Sequence, residues 1–224
     1  MEFWRKEEKV AKIEIKGAIV PDEEAWIYEY FGEKCTSPSA VLRQLEEASG
    51  EKVDIDINSA GGNVFAASEI YAAIQGYKGD VKIHVVGLAA SAASMIACAG
   101  KSDITRTAQM MVHNVSAYTA GDYRDMNHAS EVLKQANRAI AEAYVAKSGM
   151  SEKDALDLMD AETWITAQDA VDYGLIDEIA GESSKEIEPV ALVASGGELI
   201  QASVIRKMQE RKENLLAYFA KEER

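Results

Sequence analysis

Twice in this chain an apolar, β-branched run passes through a cluster of glycine and other small residues straight into a helix-period stretch. Val53-Asp54-Ile55-Asp56-Ile57 alternates as a strand and breaks at Asn58-Ser59-Ala60-Gly61-Gly62, after which Phe65, Ala66, Ile70, Ala73 and Ile74 mark an amphipathic helix ending at Gly76. Val81–Ala90 is a second such strand, feeding a short apolar helix over Ser91–Ala99. Strand-to-helix turns repeated in this way build a sheet whose strands run parallel, because the crossover helix carries the chain back to the starting edge.

The rest of the chain fits that frame. Val10–Val20 alternates as a half-buried strand, and Ser37-Pro38 announces a helix over Ser39–Ala48 with Val41, Leu42 and Leu45 on one side. Short strands are predicted at Ser102–Arg106 and Met110–Val115. A long helix is predicted over Asp122–Lys147, closed by Ser148-Gly149. Two shorter helices follow at Ser151–Met159 and Thr166–Tyr173. The predicted class is therefore α/β, a mainly parallel sheet with helices on its faces, forming one unit over residues 1–180. Residues 181–224 read as an extension: Gly- and Ser-rich linkers around a Val190–Val193 strand, then a charged amphipathic helix over Glu198–Ala220, apolar at Val204, Ile205, Met208, Leu215, Leu216 and Phe219.

Composition narrows the function. With 24 Lys plus Arg against 38 Asp plus Glu the net charge is −14, and no run of basic residues could neutralise phosphates, which argues against nucleic acid and anionic membrane partners. The least polar stretch, Gly87–Gly100, falls well short of the roughly 20 apolar residues that span a bilayer. The acidic start, Met1 to Glu8, does not read as a secretory signal, and two cysteines, Cys35 and Cys98, do not make a disulfide framework; both suit a cytoplasmic protein.

Ligands of parallel sheets gather outside the carboxyl ends of the strands, and both glycine-rich or small-residue turns lie there. Gly61-Gly62 either forms a tight turn or lets backbone N–H groups approach an anion. Ser91 either caps the following helix or presents its hydroxyl as a nucleophile at the helix N-terminus, while Ser94 is expected to pack among alanines. A nucleophilic serine needs a base. His84 lies inside a strand on the same face as Lys82 and His128 lies on the polar long helix, which leaves His113, at the close of an apolar strand, as the candidate.

Asn58-Ser59-Ala60-Gly61-Gly62, Gly87-Leu88-Ala89-Ala90-Ser91, Met111-Val112-His113 and the run from Thr166 to Asp177, in this order and at these intervals, resemble the proteolytic subunit of the Clp protease (the ClpP family) over about residues 10–179. The resemblance implies a ClpP/crotonase-like fold with a long handle-type helix. It makes Ser91 the nucleophile, His113 the general base, and the amides of Gly62 and Ala92 the oxyanion hole. Counted back from Thr166, the family's orienting aspartate falls on Glu162, with Asp160 its rival two residues earlier. The implied activity is a serine endopeptidase acting on polypeptides inside a homo-oligomeric ring, without metal or organic cofactor. ATP would be used only by a separate unfoldase, since the chain has no Gly-x4-Gly-Lys-Ser/Thr loop.

This sequence departs from the family pattern after the histidine, where Asn114-Val115 replaces Gln-Pro, and in a glycine-poor segment before the long helix, which puts ring stacking in doubt. The extension resembles the phage and prophage branch, for which a capsid protein is a partner to consider. Two alternatives stand beside the peptidase: an acyl-CoA hydratase or isomerase of the crotonase superfamily, and a catalytically silent scaffold of the same fold.

Overall fold

A computed structural model describes residues 10–181 together with 207, 208, 210 and 211. The chain begins with β1 (Val10–Ile19), α1 (Asp22–Phe31), β2 (Cys35–Thr36) and α2 (Pro38–Ala48). The central strand–helix pairs are β3 (Lys52–Gly62) with α3 (Val64–Gly76) and β4 (Val81–Ala90) with α4 (Ala92–Ala97). β5 (Lys101–Thr105), β6 (Gln109–Val112) and α5 (Tyr123–Ser148) follow, then α6 (Glu152–Asp160), β7 (Thr163–Thr166), α7 (Ala167–Asp172) and β8 (Glu178–Ala180). The main sheet runs β2-β1-β3-β4-β5-β8 and every pairing in it is parallel. β6 continues beside the last residues of β4, also parallel, and β7 closes antiparallel on β6.

Alternation decides what the sheet buries. Ile13, Ile15, Val53, Ile55, Ile57, Ile83 and Val85 point to one face and meet Val41 and Leu45 of α2, Ile70 and Ile74 of α3 and the alanines of α4 in a single core. The intervening positions carry charge: Lys12 and Glu14 on β1, Asp54 and Asp56 on β3, Lys82 and His84 on β4, Asp103 on β5. Burying an isoleucine side chain stabilises by about 1.5–3 kcal/mol, so a one-residue slip of any central strand would exchange that gain for the cost of buried carboxylates.

The observed elements correct the sequence reading in four places. β3 does not break after Ile57: a bulge lets it run on, so that Gly61 and Gly62 stay paired with Ala18 and Ile19 of β1. α4 begins at Ala92, one residue after Ser91. Helix α1, hidden in an acid-rich stretch, carries Asp22, Glu23 and Glu24 in its first turn, where the helix dipole favours them. The short strands β2, β7 and β8 were not separable from the turns around them, being two to four residues long. The long helix is placed as expected, opened by a capping box between Asp122 and Asp125 and closed by Gly149 in the left-handed region.

The Val190–Val193 strand and most of the Glu198–Ala220 helix lie outside the described residues. The four described positions of that segment are helical, and Met208 packs against a small cluster of Val20, which follows β1, and Ile27 and Tyr28 of α1. Among the described residues no helix is long and apolar enough to cross a membrane.

Candidate active site

The two turns singled out in the sequence meet above the carboxyl end of β4. Ser91 occupies the N-cap position of α4, yet its side chain makes no capping hydrogen bond. Its backbone has φ 53° and ψ −127°, a region that side-chain-bearing residues seldom occupy and that costs on the order of 1–3 kcal/mol. This conformation is held in part by the Ser91 N–H, which donates to Met111 O of β6 at 2.8 Å. With the hydroxyl released from capping, Ser91 Oγ stands 2.8 Å from His113 Nε2. His113 arrives there because β6 extends the sheet beside β4, with Ala90 opposite Met111.

The glycine turn is packed against the same place. A methyl group on Gly61 would come within 2.8 Å of Ser91 Cβ and 2.9 Å of Ala92 N, and on Gly62 within 2.1 Å of Ile19 O. Gly61 has φ +94°, so both its backbone angle and its surroundings exclude a side chain. Ser59 braces the turn: its hydroxyl donates to Gly17 O at 2.6 Å and accepts from the Gly61 N–H at 3.0 Å. The Ala92 N–H belongs to the first residue of a helix and therefore has no intrahelical acceptor. Small residues and the Ala92 N–H thus lie beside Ser91, an arrangement able to hold an attacked carbonyl and its developing negative charge.

A small pocket opens beside the pair, lined by Ser91, Ala92, His113 and Asn114 together with the apolar side chains of Val64, Met95, Val115 and Ile140. The ring of Tyr144 from α5 forms part of the wall, and burial pushes its hydroxyl pKa well up, against the smaller effect of its hydrogen bond to Ser94, so it stays protonated. Ser94 is fully buried among alanines, as expected, but its hydroxyl is engaged: it donates to Ser91 O at 2.6 Å and lies 2.8 Å from Tyr144 Oη. The bond to Tyr144 has no signature in the sequence, because the two residues are 50 positions apart.

The acids sort differently. Asp160, the last residue of α6, accepts from Asn114 Nδ2 at 2.7 Å. Since an ionised carboxylate can only accept, this bond fixes the amide orientation and leaves Asn114 Oδ1 buried without a protein partner among the described residues. Glu162 sits in the turn before β7 with φ 48°. Among the described residues neither Asp160 nor Glu162 pairs with His113, so the structure brings together Ser91 and His113 and sets both acids beside them, one linked through Asn114. The remaining histidines lie elsewhere: His128 is exposed on α5, and His84 faces Asp103 on the open side of the sheet. Of the thiols, Cys98 is enclosed in the core, and burial pushes its pKa up to about 12, which leaves it un-ionised and unreactive.

Comparison with known proteins bears on the whole of this region. A family model described as Clp protease matches residues 27–183. The ATP-dependent Clp protease proteolytic subunit 1 of Chlamydia abortus is 33% identical over 162 residues, covering 67% of this chain and 84% of that protein. The protein of the same name from Streptomyces avermitilis is 31% identical over 148 residues, covering 65% of this chain and 68% of its own length.

Proposed function

From the premise that this chain belongs to the Clp protease family, and is thereby a serine-type endopeptidase, we propose that its chemistry is carried by Ser91 and His113. His113 Nε2 takes the hydroxyl proton as Ser91 Oγ attacks a peptide carbonyl. The amides of Gly62 and Ala92 receive the oxyanion, and His113 then protonates the leaving amine. Water, deprotonated by the same imidazole, hydrolyses the acyl-enzyme and regenerates Ser91. The observation that carries this reading is the 2.8 Å contact between His113 Nε2 and a serine hydroxyl that its strained backbone withholds from capping.

The orienting acid of this reading is Asp160 rather than Glu162. It is supported by the bond from Asn114, the neighbour of His113; Glu162 precedes Thr163, which pairs with Val112, but among the described residues no hydrogen bond joins its side chain to the histidine strand. The catalytic unit is residues 1–180, with 181–224 appended. Relatives whose names describe an ATP-dependent protease subunit support a separate ATPase as the partner that delivers unfolded polypeptide, and a homo-oligomeric ring as the working assembly. The acyl-CoA alternative lacks such support, since both relatives are protease subunits.

Labelling with a serine-directed fluorophosphonate, alongside cleavage of a short fluorogenic peptide, tests the reading. The expected result is one label on Ser91 and a loss of activity on the order of 10⁴-fold or more in Ser91→Ala. Wild-type activity in that variant would sink the assignment, and would leave the silent scaffold or another nucleophile.

A further inference from the structure

Outside the reacting pair, one buried polar group has no evident reason to exist. α4 reads Ala92-Ala93-Ser94-Met95-Ile96-Ala97, and Ser94 is fully buried in it, where alanine would fill the same space without burying a hydroxyl. Tyr144 is buried to 2% exposure, where phenylalanine would pack equally well. The two hydroxyls satisfy each other and one more group, and chemistry fixes the direction of both bonds. Ser91 O can only accept, so Ser94 Oγ gives its single proton there, at 2.6 Å. Ser94 Oγ must then accept the proton of Tyr144 Oη at 2.8 Å. The Ser94 N–H donates to the same Ser91 carbonyl at 2.9 Å.

Ser91 O is therefore clamped by two donors from within α4, one of them fixed in turn from α5. A trans peptide is planar, with its C=O and the following N–H pointing in opposite directions. Clamping Ser91 O toward the helix interior consequently turns the Ala92 N–H outward, to the side where the Gly61 turn crosses within van der Waals reach of Ala92 N. The clamp also offsets the backbone strain at Ser91. The geometry points to Ser94 and Tyr144 as positioning residues: through a Tyr144–Ser94–Ser91 relay they hold the Ser91–Ala92 peptide so that its N–H faces the reacting carbonyl oxygen. This inference rests on the serine peptidase reading and deepens it, since the relay acts on the oxyanion and not on substrate binding.

The test uses the full chain with Tyr144→Phe, Ser94→Ala and Ser94→Thr, a short peptide substrate, and a peptide boronate whose tetrahedral adduct carries negative charge. Ser94→Ala is expected to lower kcat about 10- to 100-fold, below the roughly 10²- to 10³-fold cost of deleting an oxyanion donor outright. Tyr144→Phe, nearly isosteric, is expected to lower kcat about 5- to 10-fold, with KM of either variant unchanged and boronate affinity falling in step with kcat. Ser94→Thr, which keeps the hydroxyl, restores most of the loss. The double variant is no worse than Ser94→Ala alone, because the two groups act in one chain. Wild-type kcat and boronate affinity in Tyr144→Phe and Ser94→Ala, or a rise in KM alone, overturn the relay while an inactive Ser91→Ala keeps the peptidase reading. An active Ser91→Ala overturns that reading itself.

Discussion

Strand β4 carries opposite chemistries at its two ends. Near its start, His84 Nδ1 lies 2.8 Å from Asp103 Oδ1 and its Nε2 3.7 Å from Asp54 Oδ1, while Lys82 reaches Asp103 and Glu178, each at 3.0 Å. The hydrogen bond to Asp103 raises the His84 pKa, with burial pulling the other way and losing. Burial would raise the Asp103 pKa, but its hydrogen bonds from His84 and Lys82 together bring it below the ordinary carboxylate range. Both nitrogens of His84 thus face acids, and neither is available to take a proton from a hydroxyl. Past the end of the strand, His113 presents Nε2 to Ser91 Oγ, and among the described residues no carboxylate pairs with it. The difference teaches that a histidine becomes a structural partner of acids or a base according to what the neighbouring strands set opposite it. Register decides this: the pairing of His84 with Asp103 across β4 and β5 makes the first case, and the extension of β6 beside Ala90 makes the second.

This contrast can be broken most directly by exchanging the two histidines for alanine. His113→Ala is expected to lower kcat on a short peptide by roughly 10⁴- to 10⁶-fold, the scale of losing a general base, whereas His84→Ala stays within a few-fold of wild type. Comparable losses in both would show that the charged end of β4 also belongs to the site.

A smaller effect sharpens the acidic side of the comparison. Asp160→Asn removes the acceptor for Asn114 and is expected to cost on the order of 10- to 100-fold in kcat, less than the roughly 10⁴-fold cost where an aspartate bonds the imidazole directly. Glu162→Gln is expected to change little. The reverse order, measured in the same peptide assay, would transfer the orienting role to Glu162.

The smallest effect is on stability. Because the folded-state pKa of His84 is raised above its ordinary value of 6.5, the pairing with Asp103 contributes fully below that pH. The contribution is lost as pH rises through the higher folded-state value. The wild-type unfolding free energy from urea titrations should therefore fall as pH climbs above 6.5, by less than about 1 kcal/mol for a partly exposed pair, and His84→Gln should flatten that slope. An unchanged slope would show that His84 is not the titrating group.

Much of the fold was legible because two periodicities dominate it. The β-branched alternation at Val53–Ile57 and Val81–Val86 and the helical spacing from Phe65 to Ile74 state both element type and buried face, and the caps at Asp122 and Gly149 state the ends of the long helix. The missed elements lacked such signals. α1 presents acids where an apolar stripe would have declared it, and β7 is held by pairing with β6, a partner more than 50 residues away in the chain. For the site, residue type and position at a strand end sufficed to single out Ser91, His113 and the Gly61-Gly62 turn.

What the sequence determined by itself is therefore local: which segments are strands or helices, which faces they bury, and which few residues stand at the carboxyl ends with chemistry to offer. Only the tertiary structure decided that Ser91 leaves its capping role for His113, that Asp160 turns to Asn114, and that Tyr144 reaches Ser94 from another helix. The physical reason is that hydrogen bonds are directional and short, so they depend on where the sheet register and helix packing bring side chains far apart in sequence.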